Sequence, residues 1–305
     1  MEIKQVPVCV FGAANTDLVG FPEGRLVFND SNKGQIRMLP GGVGRNIAEN
    51  LSRMAQKVFL VSVFGKDYFY EFIKRHSESV GIDLSDSLVL NGYSSAVFSA
   101  VLNRGNDLAV AIADMRIYDN LTPDLLDTEL KALEHSEVVV METNFPSSVL
   151  DYLVNLYPQK KWIADTVSGD KAKRIEAVYD RLEILKTNLL EAEVLTGISA
   201  RTGDYKDMVK YFLDEGVSNV FITLGKEGVI YGNSDGIDYQ PPVPAKVLNT
   251  IGAGDAFLAG VTFGFLQGFD LHRMAKLGLH AAGLTVQSER VVSEEISAEK
   301  LLSAL

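Results

Sequence analysis

Short runs rich in β-branched residues alternate with amphipathic stretches of helical periodicity along most of this chain of 305 residues. This alternation predicts a mostly parallel sheet with helices on both faces, because a parallel crossover needs a connection as long as a helix. The predicted strands are residues 6–12, 58–64, 137–142, 161–165, 183–187, 219–224 and 228–231. The predicted helices are residues 45–55, 67–80, 122–134, 146–157, 204–215, 253–267, 271–287 and 298–305. We therefore expect a three-layer αβα fold.

Two segments interrupt the alternation. Residues from about 17 to 38 lack a helical pattern, and residues 93–114 form two predicted strands, 94–102 and 108–114, around the turn at residues 103–107. We expect these segments to form a small β-sheet that projects from the main body as a lid, as a dimer interface, or as both. Neither a low-complexity linker nor an internal repeat divides the sequence, so we expect residues 1–305 to form a single domain.

The charge balance limits the partners of the protein. Lys and Arg total 29 against 40 Asp and Glu, so the net charge is −11, and no basic run is present. Nucleic acid and anionic membranes are therefore poor partners. A phosphorylated ligand would need a local site made of backbone N–H groups, one or two lysines, and metal ions.

The single cysteine, Cys9, excludes intramolecular disulfides and cysteine-based metal centres, and it lies in an apolar predicted strand. We interpret it as a buried core thiol. Apolar runs fall well short of the ~18 residues of a membrane span. The polar residues Asn15 and Asp17 follow the first strand closely, which is unlike a signal peptide, so the expected location is the cytoplasm.

The segment from Asn249 to Phe257, Asn-Thr-Ile-Gly-Ala-Gly-Asp-Ala-Phe, is the most specific feature. It follows a short β-like run at residues 245–248 and begins an apolar helix, so free N–H groups and the helix dipole would favour an anion there. Asp255, in the first turn, would accept a proton from a hydroxyl that attacks a phosphorus held by those groups. A flexible glycine loop with an acidic first-turn residue is the alternative.

A second glycine turn precedes the first helix. Pro40-Gly41-Gly42-Val43-Gly44-Arg45-Asn46 would let a small ligand lie against the backbone, and the Asn46 amide both donates and accepts, as a sugar hydroxyl requires. Asn15 and Asp17 follow the first strand, at the carboxyl edge where α/β sheets bind ligands, and Asp17 suits two vicinal hydroxyls. A capped glycine turn and an ordinary turn aspartate are the alternatives.

Five motifs occur in the order found in ribokinase-like (PfkB-type) carbohydrate and nucleoside kinases, which this chain resembles over essentially its whole length. They are Asn15-x-Asp17, the glycine turn ending at Asn46, Asn188-x-x-Glu191, the turn from Thr223 to Gly228, and the Gly252–Asp255 segment. The resemblance implies a ribokinase-like fold and a kinase that uses ATP and Mg²⁺.

The resemblance also implies site roles. Asp255 corresponds to the catalytic base, and Gly252, Ala253 and Gly254 to an anion hole for the transferred phosphoryl group. Asn188 and Glu191 correspond to the pair that organises Mg²⁺ and the triphosphate through water. The nucleotide loop corresponds to Thr223, Gly225, Lys226 and Gly228, and His280 lies where the family packs adenine. Lys226 is equally consistent with a solvated turn lysine, and His280 with a core or surface histidine.

One position departs from the family pattern. Relatives usually have Asp where this chain has Asn249, and that Asp helps to hold a monovalent cation beside the anion hole. The neutral side chain weakens the expectation of a K⁺ site here, although backbone carbonyls can still ligate the ion.

A finer resemblance is to the branch of the family that phosphorylates pseudouridine. It rests on Arg45, the stretch at 112–119 with Met115, the strand end with Glu142 and Asn144, and Asp165-Thr166-Val167-Ser168 followed by Lys171. The implied substrate contacts are Glu142 to ribose and Asn144 to a uracil edge, with Arg45, Met115, Asp165 and Lys171 completing the site. Lid structure or capping is the alternative for Met115, Asp165 and Lys171.

The implied reaction transfers the γ-phosphoryl group of ATP to the 5′-hydroxyl of pseudouridine. Ribokinase activity, or that of another sugar or nucleoside kinase, is the alternative within the family. A catalytically silent sensor of sugars or nucleosides is the alternative outside enzymes. A homodimer formed through the lid sheet is the expected assembly.

Overall fold

A computed structural model describes residues 3–103, 105, 107–126, 130–202 and 205–305. Its strands, numbered along the chain, are β1 Val8–Phe11, β2 Asn15–Pro22, β3 Gly34–Gly41, β4 Val58–Val61, β5 Val63–Gly65, β6 Ile82–Asp83, β7 Leu88–Leu90, β8 Val97–Leu102, β9 Leu108–Asp114, β10 Val138–Glu142, β11 Lys161–Asp165, β12 Leu182–Asn188, β13 Asn219–Thr223, β14 Val229–Asn233 and β15 Gly236–Gln240.

The α-helices are α1 Val43–Arg53, α2 Tyr68–Ser79, α3 Arg116–Asp119, α4 Lys131–His135, α5 Ser147–Leu156, α6 Gly169–Ala172, α7 Leu189–Thr196, α8 Tyr205–Asp214, α9 Ala253–Leu266, α10 Leu271–Val286 and α11 Ala298–Leu302. Shorter 3₁₀ segments are Pro123–Leu126, Lys173–Arg181, Ala200–Thr202 and Gly225–Glu227. In the part of the chain that the structure describes, no helix combines the length and the apolar character needed to span a bilayer.

A nine-stranded sheet in the order β15-β14-β13-β12-β11-β10-β1-β4-β6 forms the middle layer. Neighbouring strands run parallel from β13 to β6, and β14 and β15 add an antiparallel edge. Alternate residues of β1 enter two different cores, with Cys9 and Phe11 facing α5 and α8, and Val8 and Val10 facing α1, α9 and α10. The predicted αβα fold is confirmed, and Cys9 is buried as expected.

The strand order places the site. β1 lies between β4 and β10. The chain therefore extends the sheet on one side of β1 with β4 and β6, and later on the other side with β10 and the strands after it. Ligands of open α/β sheets bind at the carboxyl ends of strands at such a switch point. The loops after β1, β10, β11 and β12 all end at this edge.

A second sheet of four strands, in the order β3-β2-β8-β9, is built from both segments that interrupt the alternation. The strand predicted at 94–102 begins at Val97, and two residues of the turn, Arg104 and Asn106, lie outside the described residues. Asn15 pairs with Gly41 in the β2–β3 register. This pairing brings two of the predicted motifs, the glycine turn and Asn15-x-Asp17, together at the base of the sheet.

Some predicted elements are wrong in extent. The strand predicted at 58–64 is split at Ser62, because the Ser62 N–H bonds Ser87 Oγ and its carbonyl accepts from Leu88, which moves the following residues to the β5–β7 pair. The run at 245–248 is not a strand, since the Leu248 N–H bonds the Val286 carbonyl at the end of α10. The helix predicted at 298–305 ends at Leu302.

The helix predicted at 122–134 is also wrong: the chain forms a 3₁₀ turn at Pro123–Leu126 and only a short helix at Lys131–His135, and residues 127–129 lie outside the described residues. Residue 204, the first of the predicted helix 204–215, lies outside them as well. Three strands that are short or lie at a sheet edge were not predicted from the sequence: β6, β7 and β15.

The junction of β1 and α1 depends on a backbone contact between two glycines. A Cβ on Gly44 would lie 2.6 Å from the Cα and carbonyl carbon of Gly12, and a Cβ on Gly12 would lie 2.7 Å from the Gly44 Cα. The Arg45 N–H also bonds the Ala13 carbonyl at 3.1 Å. The N-terminus of α1 is thereby held against the end of β1.

We predict that Gly44→Ala lowers the free energy of unfolding by about 1–3 kcal/mol, because the added methyl overlaps the Gly12 backbone and forces α1 to shift. Alanine in a helix is otherwise favoured over glycine by up to about 1 kcal/mol, so the expected sign opposes helix propensity. Urea denaturation measures the difference. Gly24→Ala, where no atom lies within 4 Å, is the control. Equal midpoints for the two variants would contradict a tight junction.

Candidate active site

The first turn of α9 presents free backbone N–H groups. Gly252 precedes the helix with φ 81°, and a Cβ there would lie 2.2 Å from the Val291 carbonyl oxygen. The N–H groups of Gly252, Gly254 and Asp255 make no hydrogen bond to the described part of the chain, whereas that of Ala253 donates to Thr250 at 3.3 Å. These groups and the dipole of a 14-residue helix form a site for an anion.

Asp255 points back toward α1. Its Oδ2 accepts a hydrogen bond from Asn46 Nδ2 at 2.7 Å. Burial, together with the negative charge of Asp165, raises the pKa of Asp255 to about 6, against the opposing effects of Asn46, Lys186 and Arg45. A carboxylate with a pKa near neutrality, beside an anion site, is suited to take a proton from a hydroxyl.

Lys186 is a site residue that the sequence motifs do not predict. It is only 5% exposed, its Nζ bonds Asp165 Oδ2 at 2.8 Å, and it lies 3.0 Å from where a Cβ of Gly254 would be. Burial alone would lower the pKa of Lys186, but the Asp165 and Glu191 carboxylates raise it. An ammonium group therefore lies against the anion site. The one signal in the sequence was a lysine directly after the apolar pair Ile184-Leu185 in a predicted strand.

Asp165 also controls the loop that follows β11. Its Oδ1 accepts from the Val167 N–H at 2.8 Å, and Val167 has φ 58°, a left-handed conformation that a β-branched residue rarely adopts. Such strain clusters at functional sites, where the surrounding structure must hold it. The loop leads to Lys171, whose Nζ bonds Asn144 Oδ1 at 2.5 Å.

Glu142, expected to touch ribose, is fully buried. Its Oε1 accepts from the Ala13 N–H at 2.5 Å, and its Oε2 accepts from Asn144 N and Nδ2, both at 2.7 Å. Burial raises the pKa of Glu142 to about 7, although the backbone N–H donors of Ala13 and Asn144 oppose the shift. In the structure its carboxylate joins the end of β1 to Asn144, and the Asn144 amide is held from both sides, by Glu142 and Lys171.

Asn15, Asp17, Gly41 and Gly42 meet at the base of the second sheet. Asn15 Nδ2 donates to Asp17 Oδ1 at 2.5 Å, and a Cβ on Gly41 would lie 2.6 Å from both carboxylate oxygens of Asp17. Gly42 has φ 100° and precedes α1. Burial raises the pKa of Asp17 to about 6, with the Asn15 hydrogen bond and the Arg45 charge opposing. A glycine at 41 keeps this carboxylate accessible from the backbone side.

Among the predicted substrate residues, Arg45 is buried, as Glu142 and Asp165 are, and Met115 is partly exposed. Arg45 is 1% exposed and bonds Glu49 and Asn46, its neighbours on α1. Met115 follows β9 and packs against the core on the α5 side of the sheet, beside an exposed ion pair between Asp114 and Arg116.

Asn188 and Glu191 form a capping box at the start of α7. Asn188 Oδ1 accepts from the Glu191 N–H at 2.9 Å, Asn188 Nδ2 donates to Glu191 Oε1 at 2.6 Å, and Thr166 Oγ1 donates to Glu191 Oε2 at 2.5 Å. Over the residues that the structure describes, no cluster of three or more His, Cys, Asp or Glu side chains is arranged to hold a metal ion. The pair can therefore contribute to a Mg²⁺ site only as one part of it, with phosphates and water supplying the rest.

The predicted nucleotide loop lies after β13. Thr223 Oγ1 donates to the Thr187 carbonyl at 3.3 Å, which joins this loop to the end of β12. Gly225 and Gly228 both have positive φ, and a Cβ on Gly228 would lie 2.2 Å from the Gln240 carbonyl oxygen. Lys226 is exposed between them.

His280 is partly buried on α10, and burial and the nearby Lys276 charge lower its pKa. The segment before α9 exposes the apolar side chains Val247, Leu248 and Ile251. Asn249 Oδ1 accepts from the Ile251 N–H at 3.0 Å, so this oxygen closes a turn.

The chain is similar to several known proteins. The model of the pfkB family of carbohydrate kinases matches residues 7–297. The uncharacterized sugar kinase YeiI of Escherichia coli (strain K12) is 31% identical over 96% of this chain and 82% of its own. The pseudouridine kinase of the same strain is 27% identical over 97% of this chain and 95% of its own. The structure of Arabidopsis thaliana ribokinase complexed with ribose and ATP superposes with a TM-score of 0.85 and 20% identity over 99% of both chains, a likeness of fold.

Proposed function

Because this chain belongs to the pfkB family of carbohydrate kinases, we propose that it transfers the γ-phosphoryl group of ATP to the 5′-hydroxyl of pseudouridine, giving pseudouridine 5′-phosphate and ADP. The observation that carries the phosphoryl transfer is the position of Asp255, a carboxylate with a pKa of about 6 beside three free N–H groups at a helix N-terminus. The choice of pseudouridine rests on the finer sequence resemblance and on the relative named for that substrate.

In the proposed reaction the acceptor hydroxyl gives its proton to Asp255 as its oxygen forms a bond to the γ-phosphorus. The bond from that phosphorus to the β,γ-bridging oxygen breaks, and ADP leaves. The N–H groups of Gly252, Gly254 and Asp255, together with the Lys186 ammonium, stabilise the charge on the transferred group. Positioning and electrostatics of this kind account for most of the acceleration of such transfers.

The residues present fit ATP and Mg²⁺. The anion site suits the phosphates, and we propose that the nucleotide loop and His280 hold the ribose and adenine beside the exposed apolar residues Val247, Leu248 and Ile251. Asn188 and Glu191 are bonded to each other, so they would contact the metal ion through water. When bound, Mg²⁺ neutralises the charge of the triphosphate.

We propose that Asn15, Asp17, Gly41, Gly42 and Asn46 bind the ribose of the acceptor. Asp17 accepts from hydroxyl groups, and its neighbour Gly41 leaves room for a ring against the backbone. The Asn144 amide, fixed by Lys171 and Glu142, has one remaining N–H and one remaining lone pair for a uracil edge. Met115 is proposed to cover the base when the second sheet closes.

A free sugar is the second candidate acceptor. The observation in its favour is that the sugar kinase YeiI is more similar to this chain, at 31% identity, than the pseudouridine kinase is at 27%. A sensor without catalysis would need no base beside the anion site. Release of ADP in the presence of an acceptor would exclude such a sensor.

The proposed assembly is a homodimer through the second sheet, where Ile36, Val110 and Ile112 are more than half exposed. These side chains lie on β3 and β9, the two edge strands of the sheet, and exposed apolar edge strands are typical of a surface that a partner covers. Sedimentation velocity would report a monomer if the proposal is wrong.

We also propose that the reaction takes place in the cytoplasm, where a free thiol such as Cys9 stays reduced.

We predict that Asp255→Asn lowers kcat by about 10²–10⁴, the range for loss of a general base, while ATP still binds. In the parent, kcat at saturating acceptor should fall as the pH drops below about 6, because the protonated carboxyl cannot accept a proton. Asp17, whose pKa is also about 6, should act instead on KM for the acceptor. Asp270→Asn, at the start of α10, is the control. A parent-like kcat in Asp255→Asn would remove this residue from the mechanism.

We predict that kcat/KM falls in the order pseudouridine, uridine, ribose. Uridine has the same ribose but is joined through nitrogen, so it lacks the extra ring N–H of the carbon-linked base, and ribose lacks the base altogether. Sites built to bond a ligand group penalise analogues that lack it, because their own polar groups remain unpaired. Coupled ADP release measures all three.

Asn144→Leu should reduce kcat/KM for pseudouridine more than for uridine, and Asn155→Leu, at an exposed position on α5, should change neither. Equal use of the three acceptors by the parent would eliminate pseudouridine as the proposed substrate. It would leave the role of Asp255 as the base intact, because that role does not depend on the acceptor.

We propose that K⁺ stimulates the enzyme only weakly, since the Asn249 side chain is neutral and its oxygen already bonds Ile251. Asn249→Asp should increase the ratio of kcat in KCl to kcat in choline chloride, because a carboxylate is the better ligand for a hard cation. A strong K⁺ effect in the parent that is unchanged in Asn249→Asp would show that the cation site does not use this position.

A further inference from the structure

Along α1, Arg45 and Glu49 form a charged pair that is almost fully withdrawn from solvent, and the Arg53 side chain, 21% exposed at the end of the helix, also bonds Glu49. Arg45, 1% exposed, donates to Glu49 Oε2 at 2.5 Å and to Asn46 Oδ1. Glu49 Oε1 accepts from Arg53 Nε at 3.0 Å and Nη2 at 2.7 Å. Apolar residues of similar volume commonly serve stability as well as a buried ion pair does. The network therefore needs an explanation other than stability.

The chemistry of the donors determines how the Asn46 amide is oriented. A guanidinium has only N–H donors, so Arg45 can bond only the oxygen of the amide. With Oδ1 on Arg45, the Nδ2 end faces Asp255, and Nδ2 lies 2.7 Å from Asp255 Oδ2. Without Arg45 the Oδ1 end of the amide loses its bonded partner, so only the contact with Asp255 holds the amide and its position is less well fixed.

This orientation differentiates the two oxygens of Asp255. Oδ2 is occupied by Asn46, whereas Oδ1 has no hydrogen bond to the described part of the chain. Oδ1 therefore keeps both of its lone pairs for a hydroxyl, whereas Oδ2 keeps only one.

We propose that Arg45 is a positioning residue for phosphoryl transfer: held by Glu49, it orients the Asn46 amide so that Asp255 presents Oδ1 to the acceptor hydroxyl. The proposal rests on the proposed role of Asp255 as the base and is independent of which acceptor is used. The charged and titratable groups around the Arg45 guanidinium are Glu49 and Arg53 on α1, His76 on α2, Asp17 on β2 and Asp255 on α9.

A double-mutant cycle tests whether Arg45 acts through Asn46. Arg45→Met should lower kcat about 10–100-fold, as small misplacements of catalytic groups do, with less than a threefold change in KM for ATP. In an Asn46→Ala background the same substitution should change kcat less than about threefold, because the amide it orients is gone. An equal loss of kcat in both backgrounds would overturn the proposal.

Arg53→Met is the matched control on the same helix. It makes the same change of side chain and removes a partner of the same Glu49, but Arg53 has no bond to Asn46. It should leave kcat within about threefold of the parent. If it lowers kcat as much as Arg45→Met does, the network supports the fold and does not position Asp255.

A crystal structure of Arg45→Met tests the geometry without any assay. The contact between Asn46 Nδ2 and Asp255 Oδ2 should lengthen beyond hydrogen-bond distance or the amide should turn over, and an unchanged contact would overturn the proposal. If Arg45→Met does not fold, Arg45→Lys replaces it in both tests, since an ammonium cannot reproduce the planar fork that bridges Glu49 and Asn46. A parent that phosphorylates none of the acceptors would overturn the proposed function, while the crystal contact would still decide the role of Arg45.

Discussion

The backbone contact between Gly12 and Gly44 is the constraint on which the site depends. It brings the first turn of α1 to the end of β1 at a distance that no side chain would permit. Asn46 lies two residues further along α1, and from there its amide reaches Asp255 at the start of α9. A helix that began even slightly further from the sheet would leave the base of the proposed reaction without its partner. The position of Asn46 relative to Asp255 therefore depends on the absence of side chains at Gly12 and Gly44.

The close packing at this edge of the sheet also raises the pKa values of several carboxylates. Asp17, Glu142, Asp165 and Asp255 converge there in a chain whose net charge is −11. Burial raises the pKa of Asp17, Glu142 and Asp255 into the range from about 6 to about 7, and Lys186, paired with Asp165, limits the excess of negative charge. A site for a polyanion is possible in such surroundings because backbone N–H groups, rather than basic side chains, supply most of its donors.

The fold and part of the site could be predicted from the sequence because their causes are local. The alternation of strands and helices, the glycine turn before α1 and the segment from Gly252 to Asp255 each depend on neighbouring residues. Lys186 was missed, because its importance comes from Asp165 on the adjacent strand and from Gly254 on a distant helix. Glu142 was identified, but its bond to Ala13, which turns it inward, arises only when β10 pairs with β1.

The sequence by itself determined which residues have the required chemistry: a carboxylate in the first turn of an apolar helix, glycines that free backbone N–H groups, and an amide after a glycine turn. Only the tertiary structure decided which of these groups meet and which face inward. Arg45 has the sequence context of a ligand contact, yet it is buried beneath Asn46. The physical reason is that burial and hydrogen-bond partners depend on the packing of elements far apart in the chain, as where α1 meets β1 and α9.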